Sequence, residues 1–137
     1  LAEVEIMGYG ENTSAEIERV AAAIVDSAFK VHSRLGPGLL ESVYAVCLTH
    51  ELRSRGFTVG RELRVPVLYE GIKLHTGFKM DLLVNDSVII ELKAVEEMRP
   101  LYKAQLLTYL RLTDKRLGLL INFNVPLIKD GIKRVAN

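Results

Sequence analysis

The chain has 137 residues, 49% hydrophobic and 26% charged, with a net charge of +1, the balance of one globular domain with a substantial core. A charge so near zero excludes binding nucleic acid by bulk polycation character. It is unevenly spread, though: residues 92–137 hold nine Lys/Arg against four Asp/Glu, or +5, leaving −4 for residues 1–91.

No apolar run approaches the roughly 18 residues of a membrane span, and nothing at the start resembles a secretory signal. A cytoplasmic protein with no membrane partner is expected. Leu1 stands where a methionine would, as in a fragment or processed chain. The single cysteine, Cys47, excludes an internal disulfide and reads as a buried reduced thiol. Residues 1–12 carry no period and contain Gly8 and Gly10, so they read as a flexible tail or a short added strand ahead of one domain, 13–137.

Thr13 with Glu16 three residues on predicts a capping box. The apolar residues Ile17, Val20, Ala21, Ile24, Ala28 and Val31 then predict a helix to about Arg34. Gly36-Pro37-Gly38 breaks it. A second helix is expected from Leu39 to about Arg55, closed by Gly56. Glu41 shares its stripe with Tyr44, Leu48 and Leu52. As a first-turn acid it either complements the helix dipole or points inward to a site. Residues 57–69 read as a strand in which Pro66 marks an edge or a bulge. Glu70-Gly71 turns the chain into a short strand at 72–74.

The organising stretch is 77–94, GFKMDLLVNDSVIIELKA, read as a hairpin of 78–84 and 87–93 around Asn85-Asp86. Alternation puts Lys79, Asp81 and Leu83 on one face, and Ile89, Glu91 and Lys93 on one face. A three-residue loop sets Leu83 against Ile89 and Asp81 against Glu91. A two-residue loop sets Asp81 against Ile90 instead. In the first register the two carboxylates lie roughly 5 Å apart and repel by about 3 kcal/mol at an effective dielectric near 20. A divalent cation between them, with Lys93 one pleat on, would offset that.

Pro100 suits the first turn of a third helix, to about Leu112. Its wheel groups Leu101, Ala104, Thr108 and Leu112 with Gln105, and Tyr109 borders that face. The Gln105 amide needs partners, supplied either by neighbouring backbone or by a phosphate or water at a site. Residues 117–123 are a strand covered on both faces, 124–131 a loop, and 132–135 a last short strand. The order α-α-β-β-β-β-α-β-(β) predicts an α/β (α+β) fold, a mixed central sheet flanked by helices.

Asp81, Glu91 and Lys93 on adjacent strands suit metal-assisted hydrolysis of a phosphodiester. Alone, E-x-K more often marks a cross-strand ion pair. Here Glu91 ends an apolar strand with Asp81 in matching phase. His32, His50 and His75 lack metal-ligand spacing, and the helical His32 and His50 read as surface or half-buried. Tyr44, Tyr102 and Tyr109 read as core packing before base stacking. Arg99, Lys103, Arg111, Lys115 and Arg116 read equally as phosphate contacts or solvated surface.

Gly38-Leu39-Leu40-Glu41-Ser42-Val43-Tyr44 fits the G-x-x-E-x-x-Y signature of the GxxExxY proteins, a branch of the PD-(D/E)XK nuclease superfamily. The resemblance spans 17–135 and takes in DLLV at 81–84, ELKA at 91–94, QLLTYL at 105–110 and LINF at 120–123. It implies a restriction-endonuclease-like core of αβββαβ order. It also implies catalytic places for Glu41, Asp81, Glu91, Lys93, Gln105 and Tyr109, with Mg2+ or Mn2+ held by Asp81, Glu91 and Glu41.

The expected function is hydrolysis of nucleic acid, DNA before RNA. A domain this small would need a second copy to grip a duplex, which makes a homodimer one option. The alternatives are a non-catalytic nucleic-acid-binding or assembly module on the same fold, and a structural domain in which Glu91 and Lys93 pair with neighbours.

Overall fold

A computed structural model describes residues 13–137; the tail expected at 1–12 lies outside them. The first helix, α1, spans Ala15–Leu35. Its N-cap is Ser14, whose Oγ accepts from the Ile17 amide, one residue later than the Thr13 box predicted. Glu16 does not reach back to Thr13 as a box requires; it pairs forward with Arg19 at 2.7 Å. Val20, Ile24, Ala28 and Val31 form the buried stripe. Gly36, at φ 68, ends the helix.

The Gly36-Pro37-Gly38 turn is clamped by Tyr44. Its hydroxyl donates to Gly36 O at 2.6 Å and accepts from the Leu39 amide at 3.2 Å. Its ring stacks on Phe123 with centroids 4.4 Å apart. Helix α2, Glu41–Ser54, therefore starts at a fixed place, with Tyr44, Leu48 and Leu52 turned inward.

Strand β1, Val59–Tyr69, is an edge strand. Pro66 lies where its register with β2 shifts, so it is both at an edge and at a bulge. The Cβ of any other residue at Gly77 would sit 2.7 Å from Val65 O, so only glycine fits opposite that bulge. Strand β2 runs unbroken from Ile72 to Val84. The separate short strand expected at 72–74 is its first turn-proximal stretch, because the bulge shifts the pairing without ending it.

Strand β3 is Val88–Lys93. The loop is the three-residue one: Leu83 pairs with Ile89 and Val84 with Val88. Asn85 and Asp86 both adopt positive φ, and the Asn85 side chain accepts from the Thr58 amide at 2.9 Å, fixing the loop.

Strand β3 pairs in parallel with β4, Leu117–Asn122, through helix α3, Pro100–Thr113, the crossover a parallel pair requires. A 3-10 turn at Ile128–Gly131 leads to β5, Ile132–Ala136. The sheet order is β1-β2-β3-β4-β5, mixed, with β4 buried along its whole length. Helices α1 and α2 cover the core formed by Leu82, Ile90, Leu92, Leu119 and Ile121. Helix α3 covers a second core with Val65, Met80, Ile89 and Leu120.

Three sequence expectations are corrected by this packing. The inward face of α3 is Leu106, Tyr109 and Leu110, whereas Leu101 is 62% exposed and Ala104 and Leu112 face solvent. Leucines occur all round that helix, so its wheel has no single stripe, and the sheet beneath chooses the face. His32 is buried, with its Nε2 2.8 Å from Val125 O. Cys47 is only half-buried.

Candidate active site

The β2–β3 ladder covers only three pairs, ending at Leu82 and Ile90. At the next step Asp81 comes opposite Glu91, and side chains take over from backbone. The Asp81 amide donates to Glu91 Oε1 at 3.0 Å, and Asp81 Oδ2 accepts from the Leu92 amide at 2.8 Å. Each carboxylate thereby satisfies an amide that the parting strands would leave unpaired.

Strand β2 changes faces at this point. Leu82 belongs to the core under α1 and α2, whereas Met80, two residues away, belongs to the core under α3. In a strand that keeps its period of two these would share a face. Strand β1 makes the same change between Val59 and Val65. Its residue opposite Asp81 is Glu62, held at φ 51 and skipped by the ladder between Arg61 and Leu63. The neighbouring ladder on either side is thus interrupted at Asp81.

Burial is the largest influence on all three acids predicted here. It raises the Glu91 carboxyl, with the Asp81 charge next, to about 8. It also raises Asp81, against the Leu92 amide and Glu91 hydrogen bonds that lower it; Glu62 adds further repulsion. Glu41, in the first turn of α2, is raised by burial of its carboxyl end and then by Asp81, although the residue as a whole remains accessible. Asp81 and Lys93 both act on the Glu41 carboxyl, so it lies within electrostatic reach of the pair from the first turn of α2.

Lys93 lowers all three carboxyls and is the local counter-charge. Its ammonium lies 4.3 Å from the Tyr102 ring centroid, a cation–π seat. The chain beyond Lys93 is held by Asn122: Oδ1 accepts from the Val95 amide at 3.1 Å and Nδ2 donates to Val95 O at 2.9 Å.

From the other side, Tyr109 is buried with its ring 5.3 Å from that of Phe78. Burial, then Glu91, then Asp81 push its hydroxyl up to about 12, so it lies beside the pair and stays protonated. Gln105, one turn earlier on α3, is half-buried, and among the described residues it makes no hydrogen bond to the other five.

The structure thus groups Glu41, Asp81, Glu91, Lys93 and Tyr109 and leaves Gln105 at the margin. Two residues escaped the sequence reading. Glu62 gave no signal, since only the cross-strand register sets it opposite Asp81. Asn122 had one, a polar residue inside an apolar strand. Among the described residues no three His, Cys, Asp or Glu side chains converge as a formed ligand set.

A five-stranded mixed sheet between helices, in αβββαβ order from α2 to β4, with acids and a lysine where its central strands part, defines the class of restriction-endonuclease-like folds. The family model of the PD-(D/E)XK nuclease superfamily matches residues 18–135, and the chain belongs to that superfamily. No curated protein and no solved structure was found to match it. Among the described residues no helix is long and apolar enough to cross a membrane.

Proposed function

We propose that the chain is a cytoplasmic, metal-dependent phosphodiester hydrolase that cuts nucleic acid, DNA before RNA. The observation that carries this reading is the meeting of Asp81 and Glu91 where β2 and β3 part. Hard carboxylate oxygens that repel one another, and that Lys93 only partly offsets, fit a hard divalent cation. Asp81, Glu91 and Glu41 are the residues that would hold Mg2+ or Mn2+. When bound, such an ion polarises the phosphate and lowers the pKa of a water.

The remaining roles belong to the chain. Lys93 orients the attacking water or offsets charge building on the phosphate. Tyr109, whose hydroxyl is pushed up to about 12 and keeps its proton, donates to a phosphate oxygen. Gln105 holds a substrate phosphate from the turn before it. The G-x-x-E-x-x-Y signature at 38–44 supports the GxxExxY branch.

A second reading is a binding or assembly module that keeps the fold without cutting. The observation favouring it is that the acids are not gathered as a three-ligand set among the described residues. Labelled single- and double-stranded DNA and RNA, incubated with Mg2+ or Mn2+, separate the two. Metal-dependent cutting that Lys93→Ala abolishes is the expected result. Binding without cutting by either protein would replace the hydrolase with the module.

A further inference from the structure

The hairpin of β1 and β2 outlasts the sheet it belongs to. Strand β2 has 13 residues and β1 has 11, but β3 has 6 and leaves β2 at Leu82. From the Arg64–Lys79 pair outward, the two strands pair only with each other. The result is a two-stranded ribbon whose root is the candidate site, since Lys79 is two residues from Asp81.

The two faces of this ribbon differ. At the root, Val65 opposite Phe78 faces α3, and Arg64 opposite Lys79 faces away from it. Past the bulge at Pro66 the opposed couples are Val67 with Leu74, Leu68 with Lys73 and Tyr69 with Ile72. Like charges directly opposed on a strand pair destabilise it, and Arg64 and Lys79 are both exposed. Between Glu62 and Asp81 the only acid is Glu70, at the tip.

Five cations elsewhere are paired with acids, among them Arg55 with Asp26, Lys115 with Asp86 and Arg134 with Glu18. Among the described residues, Arg64, Lys73 and Lys79 have no acidic partner. What sets the ribbon apart is that Arg64 and Lys79 face each other directly, both exposed, at its root beside the candidate site, and that arrangement calls for an external polyanion.

From this we infer that the ribbon is an arm that seats duplex DNA, with Arg64, Lys79 and Lys73 on backbone phosphates, and so feeds the duplex to the site at its root. The inference rests on the nucleic-acid reading above and adds a duplex preference and a surface to it. A two-stranded ribbon matches the roughly 12 Å major groove of B-DNA, whereas A-form RNA presents a narrow, deep one. Single strands are gripped by cations interleaved with aromatic rings. Beside Arg64 and Lys79 there is no Phe, Tyr or Trp, since Phe78 lies on the opposite face, and the one ring in phase on β2 is His75.

The test is equilibrium binding in EDTA, so that nothing is cut. A labelled DNA duplex, its single strand and the corresponding RNA duplex are compared across salt concentrations. Arg64→Gln/Lys79→Gln is set against Lys129→Gln/Lys133→Gln, which removes the same charge from exposed positions toward the far edge of the sheet. The ribbon variant should bind duplex DNA about tenfold more weakly, with a log–log salt slope shallower by about 2, while the control binds normally. Its melting temperature should hold or rise, since a like-charge pair is relieved.

Equal weakening by both variants, no weakening, or no duplex binding by the natural sequence would overturn the arm. So would an equal loss on the RNA duplex. A change from dimer to monomer in the ribbon variant would reassign this surface to a second copy of the chain. Because no cutting is read, failure of the hydrolase reading leaves these outcomes interpretable.

Discussion

Asp81 and Glu91 hold their two strands together with their side chains at the step where the backbone ladder stops. The Asp81 amide reaches Glu91 Oε1 at 3.0 Å, and Asp81 Oδ2 takes the Leu92 amide at 2.8 Å. This makes the protonation of the pair a matter of stability. Glu91 moves from an ordinary 4.5 in the unfolded chain to about 8 when folded. The folded state therefore binds more protons between those values, and stability falls as pH rises through that window. Without metal, the melting temperature should be higher near pH 5.5 than near pH 8.5, and Glu91→Gln should flatten the decline.

A divalent cation should reverse that penalty. It replaces the Glu91 proton as the charge that lets both carboxyl groups sit together, so Mg2+ or Mn2+ should raise the melting temperature most at the alkaline end. At a hundredfold excess over its dissociation constant the gain is about 2.7 kcal/mol. Asp81→Ala should abolish the metal response. A response that survives in that variant would place the ion elsewhere.

Tyr44 positions Glu41 from three residues away in sequence. Tyr44→Phe keeps the stack on Phe123 but removes both hydrogen bonds that close the Gly36-Pro37-Gly38 turn. A loss of about 1–3 kcal/mol is expected in a denaturant melt. Cleavage should fall further than stability alone accounts for, because α2 begins from that turn.

Tyr109→Phe tests the hydroxyl alone. The ring stays in the core beside Phe78, so stability should change by no more than about 1 kcal/mol. Cleavage should drop with little change in binding, as expected of a donor used at the reacting phosphate. An unchanged rate would return Tyr109 to a packing role.

Arg134 is 3% exposed and bonds Glu18 through both terminal nitrogens, tying β5 to α1 far from the site. Arg134→Ala should cost about 3 kcal/mol, near the low end for a broken buried pair because Glu18 keeps some solvent. Metal affinity of the protein that remains folded should be unaltered.

Much of this arrangement was legible in the chain because it rests on local chemistry. Gly36, Pro37 and Gly38 stop one helix, Pro100 opens another, and the apolar run at 117–123 is a strand by length and content. The meeting of Asp81 with Glu91 was one of two registers the hairpin allowed, and the observed three-residue loop, with Leu83 on Ile89, selects it.

Tertiary structure decided what local rules leave degenerate. Leucines surround α3, so only the sheet beneath it could select Leu106, Tyr109 and Leu110 as the inward face. Ser14 and Thr13 are equivalent caps until the first turn is placed. The change of face at Asp81 and Glu62 is invisible in sequence because it depends on two strands breaking period together. The opposition of Arg64 and Lys79, fifteen residues apart, exists only once a bulge and a turn have set the register. Short-range preferences specify elements; which side chains share a space is set by long-range pairing and burial, and the candidate site is made of such pairs.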